Sequence, residues 1–315
     1  MKLLTTAKFS SQDVDALKGL APTLDVVREL DPEKAREQFR DAEIFCGFQL
    51  PGPLAEAREL KWVQLVSAGA EHIFDTGILR SDILVTTASG VHAHAIAEYV
   101  LGAMVMLARH IPEILAESAR REWRPQRQRA YYGEELHGKT VGVLGLGAIG
   151  QQVATTSRCL GMRVLGIRRG GGAGVADEVF TPERLMEMLP RCDFVVVTLP
   201  LTAETRNLLG ERELRAMKPT AFLINVARGH IVEEGPLVRA LREGWIAGAA
   251  VDVFSEEPLP RESEMWDLPN LIVTPHMAGN FSAYLDRVMD ILRENLRRYV
   301  AGEPMVNLLD KQRGY

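Results

Sequence analysis

Cysteine is scarce in this chain, and the cysteines present do not form a recognisable motif. Three occur among the 315 residues, Cys46, Cys159 and Cys192, and no two of them make a C-x-x-C pair. Their separation excludes a C-x-x-C redox or zinc motif and argues against a disulfide-stapled fold. We expect these cysteines to serve as small apolar residues of a protein in a reducing compartment.

Long apolar runs and leader-like segments are also missing. The start of the chain, Met1–Thr6, lacks the sustained apolar core of a signal peptide. The most apolar helical segment, Ala95–Ala108, carries Glu98 and is too short and too interrupted to span a bilayer. We therefore predict a cytoplasmic protein without a membrane partner.

Neither sign of charge is in large excess. The 37 basic and 42 acidic residues give a formal net charge of −5 at pH 7, which offers no support for a nucleic-acid surface. One basic run is interrupted by Glu122 and Trp123, which favours a solvated or subunit-facing segment. The run consists of Arg120, Arg121, Arg124, Arg127 and Arg129. No cluster of histidine, cysteine and carboxylate has metal-site spacing, so we predict neither a metal nor a nucleic-acid partner.

The chain does contain a glycine-rich turn of the dinucleotide-binding type. Gly145, Gly147 and Gly150 follow the G-x-G-x-x-G spacing between a predicted strand, Thr140–Leu144, and a predicted helix, Gln151–Leu160. The first glycine permits a tight turn, the second lets the backbone approach a pyrophosphate, and the third lets the helix pack closely. A purely structural βα turn is the alternative, but strand and helix patterns flank the motif on both sides.

Strand and helix patterns alternate in two series, which predicts parallel sheets with helices on their faces. A long, nearly all-apolar helix, His94–His110, lies between the series, and we expect it to be buried. The predicted strands are Lys2–Thr5, Glu43–Gly47, Trp62–Val66, Ile83–Thr86, Thr140–Leu144, Arg163–Ile167, Phe194–Thr198, Ala221–Asn225, Gly248–Val253 and Leu271–Val273. The predicted fold class is α/β, with two doubly wound parallel-sheet domains. One domain, residues 93–283, is inserted into the other, residues 1–92, which is completed by residues 284–315.

Polar residues follow three successive predicted strands of the second series. Arg228, Glu257 and His276 each come shortly after one of these strands. Because ligands of open α/β sheets bind at the carboxyl ends of the strands, we expect these side chains to converge beside a cofactor. Each residue alone is better explained as part of an ordinary loop, so the prediction depends on the three occurring together.

This set of residue types suits the reduction of a 2-oxo acid. A guanidinium, here Arg228, binds the substrate carboxylate through a two-pronged, charge-assisted contact worth about 1.5–3 kcal/mol. A proton must reach the carbonyl oxygen as a hydride reaches the carbon, and His276 fits this role of general acid/base. A carboxylate within about 4–6 Å favours the charged form of a histidine, which is the role we assign to Glu257.

Five segments resemble the successive signatures of the D-isomer-specific 2-hydroxyacid dehydrogenases, in the order of that family and over nearly the whole chain. They are Val141–Gly150, Leu199–Thr205, Asn225–Gly229, Asp252–Pro258 and Thr274–Gly279. The resemblance implies a Rossmann nucleotide-binding domain inserted into a flavodoxin-like substrate domain, a nicotinamide cofactor and commonly a homodimer. Related formate dehydrogenases have a glutamine beside the catalytic histidine, so Glu257 makes this chain similar to the branch that reduces oxo acids.

The resemblance also implies the other contacts of the site. The substrate-binding residues would be Ser67, Ala68, Gly69, Arg228 and His276, and the segment around Ala68 and Gly69 would use its backbone N–H groups. Asp252 would lie near the nicotinamide. The remaining cofactor-binding residues would be Gly145, Gly147, Ala148, Ile149, Gly150, Leu199, Pro200, Thr205, Val226, Ala227 and Gly279.

The second strand of the inserted domain is followed by an arginine pair. Family members that prefer NAD end this strand in an acidic residue that binds the ribose 2′-OH. Arg168 and Arg169 stand there in this chain. Guanidinium groups favour a 2′-phosphate, so NADPH is the predicted cofactor. The alternative is a solvated arginine pair with NAD as the cofactor.

The sequence does not select one substrate. A small unphosphorylated oxo acid such as glyoxylate or hydroxypyruvate is the first choice, followed by bulkier aliphatic or aromatic oxo acids. Two other functions stay open, a dinucleotide-sensing corepressor on the same scaffold and a dehydrogenase of another anion such as phosphite. We expect His92 at a hinge or helix cap, and Trp123 either at a dimer interface or anchoring its own loop.

Overall fold

The chain divides into two compact units. The structure is a computed structural model that describes residues 1–21, 23–123, 132–170, 174–312 and 314. Three arginines of the basic run lie outside the described residues, namely Arg124, Arg127 and Arg129. The first unit consists of Met1–His92 with Phe281–Tyr315, and the second consists of Ala93–Asn280.

The first unit contains a sheet of five parallel strands in the order β2-β1-β3-β4-β5. This is the flavodoxin-like strand order. The strands are β1 Lys2–Thr5, β2 Asp25–Arg28, β3 Ile44–Gly47, β4 Trp62–Leu65 and β5 Leu84–Thr86. Strand β2 is not among the predicted strands, because it has only four residues, with a charged residue at each end and two apolar residues between them.

Two helices of the first unit, α1 Ser11–Lys18 and α2 Pro32–Phe39, begin at side-chain caps. Ser10 and Asp13 form a capping box, in which each side chain accepts a hydrogen bond of 3.1 Å from the other's backbone N–H. Asp31 caps α2, and proline occupies the first helical position, where its fixed φ is favourable. Short 3-10 helices lie at Leu54–Glu56, Glu71–Thr76 and Ile78–Arg80.

The C-terminal helix, Tyr284–Ala301, completes the first unit. Its side chains Val288 and Leu292 are fully buried and belong to the same apolar core as Leu3 and Trp62 of the sheet. A helix from the end of the chain therefore covers strands from its beginning.

The second unit contains a sheet of seven parallel strands in the order β12-β11-β10-β9-β6-β7-β8. The strands are β6 Thr140–Leu144, β7 Arg163–Ile167, β8 Glu178–Phe180, β9 Phe194–Val197, β10 Phe222–Asn225, β11 Gly248–Val251 and β12 Leu271–Val273. Strand β8, which has three residues and lies at the sheet edge, is not among the predicted strands. The strand order reverses between β6 and β9, which is the switch point where open α/β sheets bind their ligands.

Helices cover both faces of the second sheet. They are α3 Ala93–Ala108, α4 Ile111–Ala119, α5 Ala148–Cys159, α6 Leu185–Met188, α7 Glu211–Ala216 and α8 Glu234–Glu243, with 3-10 helices at Pro182–Arg184, Leu189–Arg191, Gly229–Ile231 and Glu264–Asp267. Helix α3 is buried on one face, where Val100 and Met104 lie in one core with Val141, whereas Val105 on another face is exposed, so the expectation of a buried helix holds only in part. It ends two residues earlier than predicted because the chain turns at His110, whose φ is +52°.

Helices α3 and α4 are the most apolar pair of the second unit. Within the described ranges, no single helix has the length and apolar character needed to cross a membrane. The two helices meet those limits only when taken together, and they are bent by 71° with respect to each other.

The cysteines differ in their surroundings. Cys46 and Cys192 are fully buried, and burial raises the pKa of each thiol to about 12. Cys159 is exposed in the last turn of α5. The expectation that all three serve as small apolar residues is therefore wrong for Cys159.

Candidate active site

The glycine turn after β6 leads directly into α5. Gly145 has a φ of +105°, which side chains disfavour. A Cβ on Gly150 would lie 2.0 Å from the carbonyl oxygen of Gly145, so α5 reaches the turn only because residue 150 has no side chain. The corresponding position on Gly147 has no described atom within 4 Å, which leaves open space at the turn. Ala148 and Ile149 begin α5, whose N-terminal N–H groups suit a phosphate, so a pyrophosphate fits here.

Arg168 and Arg169 follow β7, and both side chains are exposed. The backbone N–H of Arg168 donates to the carbonyl oxygen of Phe180 at 3.1 Å, which fixes the chain at the strand end. Arg169 forms an ion pair with Glu204. Among the described residues, Arg168 has no ion-pair partner. Two positive charges therefore stand at the carboxyl end of β7.

Leu199, Pro200 and Thr205 lie in the loop after β9. The Thr205 hydroxyl donates to the carbonyl oxygen of Pro200 at 2.6 Å and accepts a hydrogen bond of 2.8 Å from the Thr202 N–H. These contacts close the loop into a compact turn. The backbone nitrogen of Leu199 would lie 3.1 Å from a Cβ on Gly145, so this loop packs against the glycine turn.

The turn after β10 carries Arg228. The side-chain oxygen of Asn225 accepts a hydrogen bond from the Ala227 N–H at 3.1 Å, and its amide group donates to the carbonyl oxygen of Arg228 at 3.2 Å. Val226 and Ala227 are buried, whereas Arg228 is half-buried. The Asn225 amide therefore fixes the turn from which the guanidinium projects.

Glu257 and His276 are in direct contact. Nδ1 of His276 lies 2.7 Å from Oε2 of Glu257, and Oε1 accepts a hydrogen bond of 3.0 Å from the Phe254 N–H. A Cβ on Gly229 would lie 2.0 Å from the carbonyl carbon of Phe254, so the turn that carries Arg228 packs directly on the loop that carries Glu257. The structure thus brings the three side chains predicted from the strand ends to one edge of the second sheet.

The electrostatics of the pair favour a charged carboxylate. Burial raises the pKa of Glu257, but hydrogen bonds from His276 and the Phe254 backbone, together with the positive charges of His276 and Arg228, outweigh burial and lower the pKa below its ordinary value. The Glu257 and His276 side chains are 37% and 51% exposed, so solvent screens their attraction. Because Nδ1 is engaged, Nε2 is the ring atom of His276 that can exchange a proton with a substrate.

Asp252 is buried and holds the turn that carries His276. Its carboxylate accepts hydrogen bonds from the Thr274 hydroxyl at 2.6 Å and from the Met277 and Ala278 N–H groups at 2.9 and 2.8 Å. The His276 N–H donates to the carbonyl oxygen of Asp252 at 2.8 Å. Asp252 therefore positions the imidazole through the backbone. The half-buried Gly279 follows this turn.

Tyr99 on α3 extends this network and was not among the predicted residues. Its hydroxyl lies 2.7 Å from Oγ1 of Thr274. Because the Thr274 hydroxyl donates its hydrogen to Asp252, Tyr99 is the donor in this contact. Burial, and to a smaller extent the charge of Asp252, raises the pKa of Tyr99. Tyr99 and Thr274 are 175 residues apart, so no local sequence pattern could have revealed the contact.

The predicted substrate loop lies in the first unit. Ser67, Ala68 and Gly69 follow β4 and are half-buried, and the Ser67 hydroxyl donates to the carbonyl oxygen of Gly69 at 2.7 Å. On the adjacent strand β3, Phe48 follows the last residue and stacks on His72, with ring centroids 4.2 Å apart. Nε2 of His72 lies 2.6 Å from the carbonyl oxygen of Phe48. An exposed aromatic ring therefore stands at the same sheet edge as the loop.

His92 lies where the chain leaves the first unit, and Phe281 lies where it returns. The His92 ring stacks on Tyr284 at 5.1 Å between centroids and meets Phe281 edge-on at 6.3 Å. These aromatic contacts tie the two chain crossings together within the first unit. The hinge role of His92 stays a prediction.

The features of the second unit define a class of protein. A dinucleotide turn at the switch point of a doubly wound sheet, with an acid/base pair at the neighbouring strand ends, is typical of dinucleotide-dependent oxidoreductases. Among the described residues there is no group of three or more histidines, cysteines and carboxylates that could hold a metal ion.

Comparisons with known proteins identify the family. Residues 101–278 match the family model described as D-isomer specific 2-hydroxyacid dehydrogenase, NAD binding domain. The chain is 34% identical over 296 residues to the glyoxylate reductase of Thermococcus gammatolerans, an alignment that covers 90% of this chain and 88% of the relative.

Two solved structures are similar over almost the full length. A D-isomer specific 2-hydroxyacid dehydrogenase family protein from Aeromonas salmonicida has a TM-score of 0.86 and 33% identity, with 98% of this chain and 99% of that chain covered. The NADPH-dependent glyoxylate/hydroxypyruvate reductase of Sinorhizobium meliloti, in complex with NADP and sulfate, has a TM-score of 0.84 and 27% identity, with 100% and 99% covered.

The chain therefore belongs to the D-isomer specific 2-hydroxyacid dehydrogenase family, as its motifs predicted. It is an oxidoreductase of that family, and its second unit contains the domain that binds a nicotinamide dinucleotide.

Proposed function

We propose that the protein uses a nicotinamide dinucleotide to reduce a small 2-oxo acid to the D-2-hydroxy acid, and that it also catalyses the reverse reaction. The observation that carries this proposal is the 2.7 Å contact between Nδ1 of His276 and Oε2 of Glu257. The positive charge of Arg228 acts on the same carboxylate. A proton donor, its charged partner and an anion-binding group thus occupy neighbouring strand ends at the same edge of the sheet as the glycine turn.

Each of the three side chains has one step in the proposed mechanism. Arg228 binds the substrate carboxylate and polarises the carbonyl group. A nicotinamide dinucleotide, when bound, would supply the hydride needed at the carbonyl carbon. His276 donates the proton on Nε2 to the carbonyl oxygen, while the carboxylate of Glu257 stabilises the imidazolium before the transfer. In the reverse direction, His276 accepts the proton of the substrate hydroxyl.

The other predicted residues support this arrangement. We assign the first unit as the substrate domain, with backbone N–H groups of the segment Ser67–Gly69 contributing to carboxylate binding. We assign the second unit as the dinucleotide-binding domain, and Asp252 as the residue that positions His276 next to the nicotinamide. The glycine turn and the loops after β9 and β10 would hold the cofactor through Gly145, Gly147, Ala148, Ile149, Gly150, Leu199, Pro200, Thr205, Val226, Ala227 and Gly279.

We assign NADPH as the preferred cofactor. The support is the pair of exposed guanidinium groups, Arg168 and Arg169, at the end of β7, where an acidic residue would select NADH. A charge-assisted contact to the 2′-phosphate is worth about 1.5–3 kcal/mol, so kcat/KM for NADPH should exceed that for NADH by at least about tenfold. Comparable values with the two cofactors would overturn this assignment.

A spectrophotometric screen of 2-oxo acids with NADPH and NADH tests the proposed reaction. We expect the highest kcat/KM for glyoxylate or hydroxypyruvate and lower values for bulkier aliphatic or aromatic oxo acids. Oxidation of phosphite with NADP⁺ in the absence of oxo-acid turnover would instead indicate a dehydrogenase of another anion. Slow turnover of every substrate, combined with cofactor-dependent binding of a peptide, would favour a dinucleotide-sensing corepressor.

We also propose that the protein is a homodimer. The support within the second unit is a group of exposed apolar side chains on and near α3 and α4, of the kind that marks an interaction surface. They are Val105, Ile114, Leu115 and Trp123, of which Trp123 is 87% exposed. A second copy of the chain would cover them.

A further inference from the structure

An ion pair joins the two loops that flank the glycine turn. Strands β7 and β9 lie on opposite sides of β6 in the sheet, so the loops that follow them leave the carboxyl edge on either side of the turn. Arg169 stands in the loop after β7, and Glu204 stands in the loop after β9. The guanidinium of Arg169 contacts the carboxylate of Glu204 directly.

Both loops are anchored to the turn between them. The N–H groups of Gly145 and Leu146 each donate to the carbonyl oxygen of Ile167, the last residue of β7, at 3.2 Å. On the other side, the Thr198 hydroxyl donates to the carbonyl oxygen of Gly145 at 2.7 Å. The side chains of Arg169 and Glu204 thus span the space beside the turn, where the adenosine half of a dinucleotide must enter.

We propose that Glu204 is a specificity-determining residue that limits the affinity for NADPH, because its carboxylate competes with the 2′-phosphate for the guanidinium of Arg169. This inference rests on the proposed binding of a nicotinamide dinucleotide phosphate at the end of β7. NADH has no 2′-phosphate, so the ion pair persists when NADH binds. Glu204 therefore reduces the preference for NADPH over NADH that the arginine pair alone would give.

The charges explain the direction of the effect. A phosphate monoester carries a charge of about −1.5 to −2 at neutral pH. Contact with a guanidinium strengthens the binding of this phosphate, and a neighbouring carboxylate weakens it. The Arg169 and Glu204 side chains are 52% and 71% exposed, so their ion pair is weak and can open when a phosphate arrives. The free energy needed to open this ion pair is small enough to allow NADPH binding and large enough to change the measured affinity.

The test is the affinity of the full-length Glu204→Gln enzyme for NADPH and NADH, measured by fluorescence titration without substrate. We expect the Kd of NADPH to fall by about three- to tenfold and the Kd of NADH to change by less than about twofold. The turn Thr202–Thr205 is closed by the Thr205 hydroxyl, so the substitution leaves the loop intact. An unchanged melting temperature checks this.

Glu187→Gln is the matched control. It removes the same charge from an exposed ion pair of the second unit, between Glu187 and Arg184 at 2.8 Å, that does not involve the loops at the turn. We expect unchanged affinity for both cofactors. In an Arg169→Gln background, Glu204→Gln should lose most of its effect on NADPH, since the competition needs the guanidinium.

Two outcomes would overturn the role of Glu204. One is a Kd for NADPH that stays the same or rises in Glu204→Gln, and the other is an equal change for both cofactors. A wild-type enzyme that binds NADH more tightly than NADPH would contradict the assigned cofactor preference instead. Even then, the change in the ratio of the two Kd values on Glu204→Gln decides whether the carboxylate opposes the 2′-phosphate.

Discussion

At the scale of single residues, the backbone around His276 decides where the imidazole lies. His276 has a φ of +51°, a region that residues other than glycine rarely adopt. The buried carboxylate of Asp252 binds three donors of this turn, which holds the conformation in spite of its cost. The contact with Glu257 then fixes the rotation of the ring. The candidate acid is thus placed by its neighbours.

Replacement of His276 by alanine tests its proposed role. We expect turnover of glyoxylate with NADPH to fall by a factor of about 10²–10⁴, because a positioned acid is lost, while the Kd of NADPH stays nearly the same. Steady-state absorbance measurements and a fluorescence titration check the two parts. His137→Ala is the control, since His137 is exposed and packs on Gly161, just before the amino end of β7. A loss of less than tenfold in His276→Ala would contradict the assignment.

The sequence predicts some residues of the candidate site and not others. Arg228, Glu257 and His276 were found because each follows a predicted strand, and the carboxyl ends of parallel strands share one edge. Tyr99 and Glu204 were not found, since their partners Thr274 and Arg169 are distant in the chain. Such contacts depend on how helices and loops pack after the sheet has formed.

At the scale of secondary-structure elements, the unit of β6, the glycine turn and α5 is specified locally. The spacing of the glycines predicted the turn, and the structure gives each glycine a separate environment. Gly150 is enclosed by backbone, whereas Gly147 faces open space. Gly150 is therefore expected to matter for the stability of the turn, and Gly147 for the space that a phosphate would occupy.

Alanine substitutions at these two glycines should affect different properties, stability at Gly150 and cofactor affinity at Gly147. Gly150→Ala places a Cβ against the carbonyl oxygen of Gly145, so we expect the free energy of unfolding to fall by about 1–3 kcal/mol or more. Gly147→Ala should change it by less than about 1 kcal/mol, since only the helix cap changes. It should nevertheless raise the Kd of NADPH by about tenfold or more, because the methyl group occupies the space for the pyrophosphate.

Denaturant unfolding and fluorescence titration of both variants make this comparison. If Gly147→Ala bound NADPH as tightly as the wild type while remaining folded, the pyrophosphate would not lie at this turn.

The C-terminal helix gives a pH-dependent prediction. Hydrogen bonds from Arg297 and Arg298 lower the pKa of Glu294 from 4.5 to about 2. The folded state favours the charged carboxylate, so its contribution to stability is complete above the unfolded value of 4.5 and disappears as the pH falls toward 2. Glu294→Gln should therefore have a lower melting temperature than the wild type at pH 7. This gap between the two melting temperatures should stay constant down to about pH 4.5 and then narrow.

Circular dichroism melts between pH 7 and pH 3 measure this gap. Asp290→Asn serves as the control, because Asp290 is 75% exposed and its only described ion pair is the longer contact of 3.7 Å to Arg293. A gap that widens on acidification would show that the Glu294 ion pairs do not stabilise the folded helix.

At the scale of the whole molecule, the chain forms the first unit from both of its ends. The C-terminal helix covers β-strands that the first residues of the chain supply, so this unit is complete only when the last segment is in place. The seven-stranded second unit is continuous in sequence. The first unit therefore depends on contacts of much longer sequence separation than the second.

The proposed homodimer is tested at this scale by size-exclusion chromatography with light scattering. We expect twice the mass of one chain for the wild type. Leu115→Glu should shift the protein toward the monomer, because a charge would be buried in the interface. Leu30→Glu is the control, since Leu30 is exposed to a similar degree in the first unit. A monomeric wild type at micromolar concentration would contradict the proposal.

The sequence by itself determined the fold class, the family and the positions after the strands that carry Arg228, Glu257 and His276. These depend on short-range patterns, namely apolar strands, glycine spacing and the polar residue at a strand end, which the chain displays without folding. Only the tertiary structure decided the strand orders, the edge strands β2 and β8, the network from Tyr99 to Asp252 and the ion pair between Arg169 and Glu204. Those features arise when distant segments pack together, and packing leaves no periodic trace in the sequence.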